Sequence, residues 1–182
     1  MPMLMWAGTD EWRAEAAQVE RHEGRFDATG VQLGTGPVPY RLDYVLETTT
    51  GWVTRSLAVT AQGDGWRRTL ELRRDPQGRW SGSASDTALD GVLDCDLGFS
   101  PLTNTMPILR HGLHERAGVA DCAMAWVSVP ELTVHRSLQR YEHLRTTPRG
   151  AVVRFASGEF TADLVVDADG FVVEYPELAS AI

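Results

Sequence analysis

The sequence has only two cysteines, and this scarcity excludes several classes of protein. Cys95 and Cys122 are too few for a disulfide framework, and no Cys-X-X-Cys or Cys/His spacing indicates a metal site. No apolar run approaches the length of a membrane span, and the N-terminal MPMLMWA lacks the basic region of a signal peptide. We therefore predict a cytoplasmic protein with reduced thiols, no metal site and no stable membrane insertion.

Motifs that would name a reaction are also missing. The sequence holds no Gly-rich phosphate loop, no nucleophile elbow and no His-Glu-X-X-His zinc motif. Its formal net charge of −8 disfavours nucleic acid and anionic membrane surfaces as partners. We assign no catalytic residue and no cofactor, and an enzyme is the less favoured interpretation.

What the sequence does contain is enough apolar material for a substantial core. The hydrophobic content is 43%, with six tryptophans, which excludes a disordered chain. A length of 182 residues is typical of one domain, so we predict a single domain over residues 1–182.

Alternation of apolar and polar residues predicts a mainly β chain. It is clearest over residues 40–47, where every second residue is apolar. Segments 11–30 and 132–144 are compatible with either helix or strand, and we favour extended structure for both. Residues 82–86 are predicted as a polar loop.

A weak internal similarity links two turn regions of the chain. LRRDPQG at residues 72–78 and LVVDADG at residues 164–170 share Leu, Asp and Gly at the same relative positions. A duplication of two half-chains would explain this, and so would the common requirements of tight turns.

The stretch LDCDLGFSPLTNTMPILRHGL, residues 93–113, is the centre of the predicted organisation. On a strand, Asp94 and Asp96 would project from the same face. A short helix is predicted over residues 103–112, with Pro107 in its first turn and Gly112 ending it. Its apolar residues predict burial by the surrounding sheet. Side chains able to cap it are Thr103, Asn104 and Thr105.

The polar residues of this stretch leave alternatives open. Asp94 and Asp96 could share a proton or hold a divalent cation. They could equally bind backbone N–H groups or pair with one of three arginines, Arg55, Arg110 or Arg136. Ser100 and its neighbours could cap the helix or line a polar mouth at the end of an apolar cavity.

Arg55 has an unusual predicted setting. Strict alternation places it on the same strand face as Val53, Leu57 and Val59. It is then either an inward cation, for an internal aspartate or an anionic ligand group, or a side chain whose head reaches the surface.

The stretch LDGVLDCDLGFSPLTNTMPILR, residues 89–110, resembles the bacterial Putative glycolipid-binding family. The flanking PYRLDYVLE, GWVTR, AWVSVPEL, QRYEHL and DGFVVEYPEL fit as well, so that the resemblance extends over nearly the whole chain. It implies an antiparallel, many-stranded spiral β-roll wrapped around one short central helix. It also implies a homodimer, which would help to cover the edges of a rolled sheet.

Three functions follow as hypotheses. The favoured one is non-catalytic binding of a small amphipathic or glycolipid-like ligand. The alternatives are an enzyme that uses Asp94 and Asp96 near the helix, and a structural or interaction protein with a filled interior. The candidate ligand-binding residues are Arg55, Asp94, Asp96, Ser100, Asn104, Arg110, Trp126, Gln139 and Tyr141.

Overall fold

Fourteen strands, a 3-10 turn and one short helix make up the computed structural model, which describes residues 2–82 and 89–182. Most of the predicted polar loop at 82–86 lies outside these residues. The strands are β1 Met3–Gly8, β2 Arg13–His22, β3 Arg25–Gly34, β4 Tyr40–Thr49, β5 Val53–Gly63, β6 Trp66–Arg74, β7 Trp80–Gly82, β8 Asp94–Leu97, β9 Val119–Val127, β10 Val134–Thr147, β11 Gly150–Ser157, β12 Phe160–Asp167, β13 Val172–Tyr175 and β14 Ala179–Ala181.

All the described strands join one sheet that does not close. The sheet runs from β7 back through β1, crosses to β14, and continues back to β8. Neighbouring strands are antiparallel except β8 and β9, which are parallel because the helix connects them. The predicted mainly β, many-stranded antiparallel fold with one short helix is confirmed.

The two ambiguous segments are strands, as predicted. Residues 11–30 contribute β2 and much of β3, and residues 132–144 lie mostly in β10. The alternation in β2 was hard to recognise because two inward positions hold Arg13 and Glu15, which are both buried. Polar side chains on the core face interrupt the alternation of apolar and polar residues by which a strand is recognised in a sequence.

The helix is confirmed, but it begins differently from the prediction. A 3-10 turn over Pro101–Asn104 leads into α1, Thr105–His111. Pro107 is in the first turn of α1, and Gly112 ends it in the left-handed conformation at φ 65°. The predicted side-chain caps are wrong: neither N-terminus has a capping hydrogen bond from its N-cap side chain.

The helix is buried between two groups of apolar side chains. Met106 and Leu109 belong to the group formed mainly by β1–β6. Ile108 and Leu113 belong to the group formed by β9–β13. The sheet therefore surrounds the helix on both sides, as predicted. Within the described residues, no helix is long and apolar enough to cross a membrane.

Of the two alternatives for Arg55, the inward cation is wrong. The register between β4 and β5 shifts between Glu47 and Thr48, so that Thr48 pairs with Thr54 and Glu47 with Ser56. This β-bulge inserts one residue and reverses the alternation before Leu57. Thr54 is consequently buried, and 64% of the Arg55 side chain is exposed.

The internal similarity corresponds to one type of turn used twice. In each turn an aspartate, Asp75 or Asp167, accepts from the backbone N–H groups two and four residues later. Its backbone carbonyl accepts from Gly78 or Gly170. Turn chemistry explains the shared Asp and Gly without a duplication, which stays a hypothesis.

Candidate ligand-binding cavity

A cavity of about 720 Å³ opens beside the start of the 3-10 turn. It is bounded by the end of β8, the adjoining parts of β9–β11 and residues of β12 and β13. This volume lies in the range of small-molecule sites in proteins. Its lining divides into a polar floor, apolar walls and an exposed rim.

The floor is a chain of hydrogen bonds that meets at Asp96. Asp96 accepts from the Thr103 hydroxyl at 2.9 Å and from Gln139 Nε2 at 2.6 Å. The Tyr141 hydroxyl donates to Gln139 Oε1 at 2.9 Å and accepts from Asn104 Nδ2 at 2.8 Å. All five side chains are buried, so these bonds fix their orientation.

Burial also sets the protonation of this floor. It raises the pKa of Asp96, and the hydrogen bonds from Gln139 and Thr103 oppose that change. Burial likewise raises the pKa of Tyr141 well above its usual value, and the nearby Asp96 charge adds to the increase. Tyr141 therefore keeps its proton and acts as a hydrogen-bond donor.

The walls are apolar and largely aromatic. They consist of Leu97, Phe99, Val129, Phe155, Tyr175 and Leu178. Phe155 and Tyr175 lie with their ring centroids 6.1 Å apart. Rings and aliphatic side chains in these positions suit an alkyl chain or the face of a ring.

The rim carries two exposed aromatic side chains. Trp126 is 36% exposed and stacks on His135, with 6.0 Å between the ring centroids. Phe160 is 44% exposed and packs against Tyr175. Polar rim residues are Ser128, Glu131, His135, Arg136, Ser137 and Ser157.

The backbone between β8 and the helix is constrained at Gly98 and Phe99. A Cβ on Gly98 would lie 2.9 Å from the Val127 carbonyl oxygen, so a side chain there is excluded. Phe99 takes a positive φ of 63°, which is uncommon for a residue with a bulky side chain. Its ring is held by Arg13, whose guanidinium carbon is 4.0 Å from the ring centroid.

A second buried acid lies behind Ser100. Glu15 accepts from the hydroxyls of Tyr44 at 2.6 Å and Ser100 at 2.7 Å, and from Gln32 Nε2 at 3.3 Å. Burial raises the pKa of Glu15 to about 7, although all three hydrogen bonds oppose the increase. No sequence pattern indicates this cluster, because its members are up to 85 residues apart.

The chain is similar to known proteins in sequence and in fold. The sequence profile of the family described as Putative glycolipid-binding matches residues 3–181. The chain belongs to this family. A crystal structure of a DUF1089 family protein from Pseudomonas aeruginosa is similar over 97% of this chain and 95% of that chain, with a TM-score of 0.74 and 26% sequence identity. No protein with a curated description matches.

The structure brings together five of the predicted site residues. Asp96, Ser100, Asn104, Trp126 and Gln139 line the cavity. Tyr141 lies directly behind two of them through its hydrogen bonds to Asn104 and Gln139. Sequence reasoning missed the wall residues Phe99 and Phe155, for which the only available signal was their aromatic character.

Three predicted site residues lie elsewhere. Arg55 is on the outer surface, paired at 4.0 Å with Glu47. Asp94 and Arg110 form a buried ion pair in which Arg110 Nη1 donates to Asp94 at 2.9 Å and to the Trp52 carbonyl at 3.1 Å. Asp94 and Asp96 therefore have separate partners. Among the described residues, no cluster of three or more His, Cys, Asp or Glu side chains could hold a metal ion.

Proposed function

We propose that this protein binds an amphipathic, lipid-like molecule in the cavity and carries out no reaction on it. One observation supports this most directly: an open cavity of about 720 Å³ combines apolar aromatic walls with a buried polar floor. Such a lining matches a ligand that has an apolar part and a hydrogen-bonding part. Membership of the Putative glycolipid-binding family points to the same ligand class.

The two alternatives have less support. The enzyme hypothesis needs Asp94 and Asp96 in one cleft, whereas Asp94 is paired with Arg110 and does not line the cavity. A purely structural protein needs a filled interior, and the cavity argues against that.

A fluorescence titration tests the binding function. N-phenyl-1-naphthylamine is an uncharged probe whose emission rises in apolar surroundings, and monododecanoylglycerol can compete with it. We expect saturable binding of the probe and its displacement by the monoacylglycerol. Ser157 is a half-buried residue of the cavity lining, and Ser157→Trp places a large ring in the cavity. We expect the affinity of the variant for the probe to fall about tenfold or more.

Ser81→Trp is the matched control, because Ser81 is exposed on β7 and does not line the cavity. Equal probe binding by wild type and both variants would mean that the probe binds outside the cavity. An absence of binding by the folded wild-type protein would contradict the proposed function.

We further propose a homodimer in a cytoplasmic setting. The dimer is supported by exposed Met3 and Met5 on β1, beside the cross-strand neighbours Ala16 and Val31 on the same outer face. The location is supported by two cysteines that form no disulfide with each other.

A further inference from the structure

The depth of the cavity can be followed along β10. His135, Ser137, Gln139 and Tyr141 project from the same face of the strand, since they are two residues apart. Their burial increases in that order, from exposed His135 to half-buried Ser137 and then to two fully buried side chains. His135 therefore marks the opening and Gln139 marks the deep end.

Polar groups occupy the deep end, which is where an apolar tail would otherwise be expected. Asn104 and Gln139 are only 3% and 4% exposed. Asn104 uses one amide hydrogen for Tyr141, and within the described residues its Oδ1 makes no hydrogen bond. Gln139 Nε2 uses one hydrogen for Asp96 and keeps a second. The methyl end of a lipid would desolvate these groups without replacing their lost bonds to water.

The charge of the deep end restricts what the polar part of a ligand can be. Asp96 is a carboxyl group on the floor, and no basic side chain accompanies it among the described floor residues. Arg136 is exposed at the rim and donates to the Asp90 carbonyl at 2.7 Å. When Asp96 is ionised, a carboxylate or phosphate placed beside it would meet a like charge, whereas a hydroxyl can both donate to Asp96 and accept from Asn104 or Gln139.

We propose that the ligand enters this cavity with its polar head first, that the head is uncharged and carries hydroxyl groups, and that Asn104 and Gln139 bind it beside Asp96. The apolar chain then lies against the aromatic walls and leaves past Trp126 and Phe160. This inference rests on the proposed function and adds the orientation of the ligand and the exclusion of anionic heads.

Two tagged monoacylglycerols test the orientation on the unmodified wild-type protein. Both are dodecanoyl glycerols with the same nitrobenzoxadiazole fluorophore, attached to the terminal chain carbon in one and to the glycerol head in the other. We expect the chain-tagged compound to bind within about threefold of untagged monododecanoylglycerol, because the chain end lies outside the cavity. We expect the head-tagged compound to lose about 100-fold or more, because the tag prevents the head from reaching the floor.

A second comparison tests the exclusion of anionic heads. At pH 8 we expect wild type to bind monododecanoylglycerol at least about tenfold more tightly than dodecanoate, because the carboxylate approaches Asp96. Asp96→Asn removes the charge and keeps an acceptor for Thr103 or Gln139, so it should reduce this preference to about threefold or less. Asp163→Asn is the control, since Asp163 is outside the cavity and pairs with Arg154.

The outcomes distinguish a failure of this inference from a failure of the proposed binding function. Tight binding of the head-tagged compound with loss of the chain-tagged one would overturn the head-first orientation and leave the binding function standing. Equal binding of dodecanoate and monododecanoylglycerol by wild type would overturn the exclusion of anionic heads. If untagged monododecanoylglycerol fails to bind, the proposed function fails together with this inference.

Discussion

At the scale of single residues, buried acids are the most unusual feature of this protein. Glu15, Asp94 and Asp96 are all at most 9% exposed, and each is surrounded by hydrogen-bond donors. An ionised carboxyl group in such a place is costly unless its partners stay in position. Each acid therefore makes stability depend on a few identifiable contacts.

Glu15 should make stability depend on pH. Its folded-state pKa of about 7 exceeds its ordinary value of 4.5, so its stabilising contribution is complete below about pH 4.5 and is lost as the pH rises through 7. Glu15→Gln resembles the protonated form at every pH. We therefore compare the free energy of unfolding of the variant with that of wild type at each pH. The difference between the two should be about 2–3 kcal/mol more favourable to the variant at pH 8 than at pH 5.

Urea denaturation at the two pH values measures this difference. Exposed Glu174→Gln is the control for general effects of charge. If Glu15→Gln and wild type show parallel pH profiles, then Glu15 is not titrating in this range.

The ion pair of Asp94 and Arg110 should be costly to break from one side. Asp94 is fully buried and the Arg110 side chain is 14% exposed. Arg110→Leu leaves the carboxylate without its cation, and we expect a loss of about 3–5 kcal/mol in chemical denaturation. Arg154→Leu breaks the exposed pair with Asp163 and should cost at most about 1 kcal/mol. Similar losses in the two variants would show that burial does not control the energy of these pairs.

At the scale of secondary-structure elements, β8 and the helix depend on the bulge in β5. The bulge turns Thr54 inward, where its hydroxyl accepts from the Cys95 N–H at 3.0 Å. The Thr54 N–H donates in turn to the Leu93 carbonyl at 3.1 Å. Through these bonds β5 holds β8, the strand that carries Asp94 and Asp96.

Substitutions at neighbouring positions of the bulge should have very different effects. Thr54→Val keeps the shape and removes the acceptor of the buried Cys95 N–H, which should cost about 1–3 kcal/mol. Arg55→Leu changes an exposed side chain and should stay within about 0.5 kcal/mol of wild type. Thermal and denaturant unfolding measure both variants. A loss in Arg55→Leu equal to that in Thr54→Val would contradict the assignment of the bulge.

At the scale of the whole molecule, the two edges of the open sheet differ. All four residues of the β8 edge strand are buried. At the other edge, among the described residues, β7 pairs only with residues 72–74 of β6. The case for a dimer rests on the family resemblance and on the exposed methionines of β1.

Light scattering after size-exclusion chromatography tests the dimer. We expect a mass twice that of the 20.1 kDa chain at micromolar concentration. Met5→Glu places a charge in the proposed interface and should give the monomer. Val119→Glu, at an exposed position on β9, is the control and should remain dimeric. A wild-type mass near that of one chain would contradict the dimer.

The sequence by itself determined the local features of this protein. Alternation predicted the strands, Asp-Gly chemistry predicted the turns at Asp75 and Asp167, and apolar spacing with Pro107 and Gly112 predicted the buried helix. These features depend on residues close together in the chain, so their signals are local. The resemblance of residues 89–110 to the family, supported by the flanking segments, was sufficient to predict the family and the kind of fold.

The tertiary structure alone decided the partners of the polar residues. One inserted residue in the β4–β5 register placed Arg55 outside, because each step along a strand reverses the direction of the side chain. Asp96 meets Gln139 and Glu15 meets Ser100 only after a 14-stranded sheet has curved around the helix. The cavity is formed by the same curvature, and no local pattern of residues records how far a sheet bends.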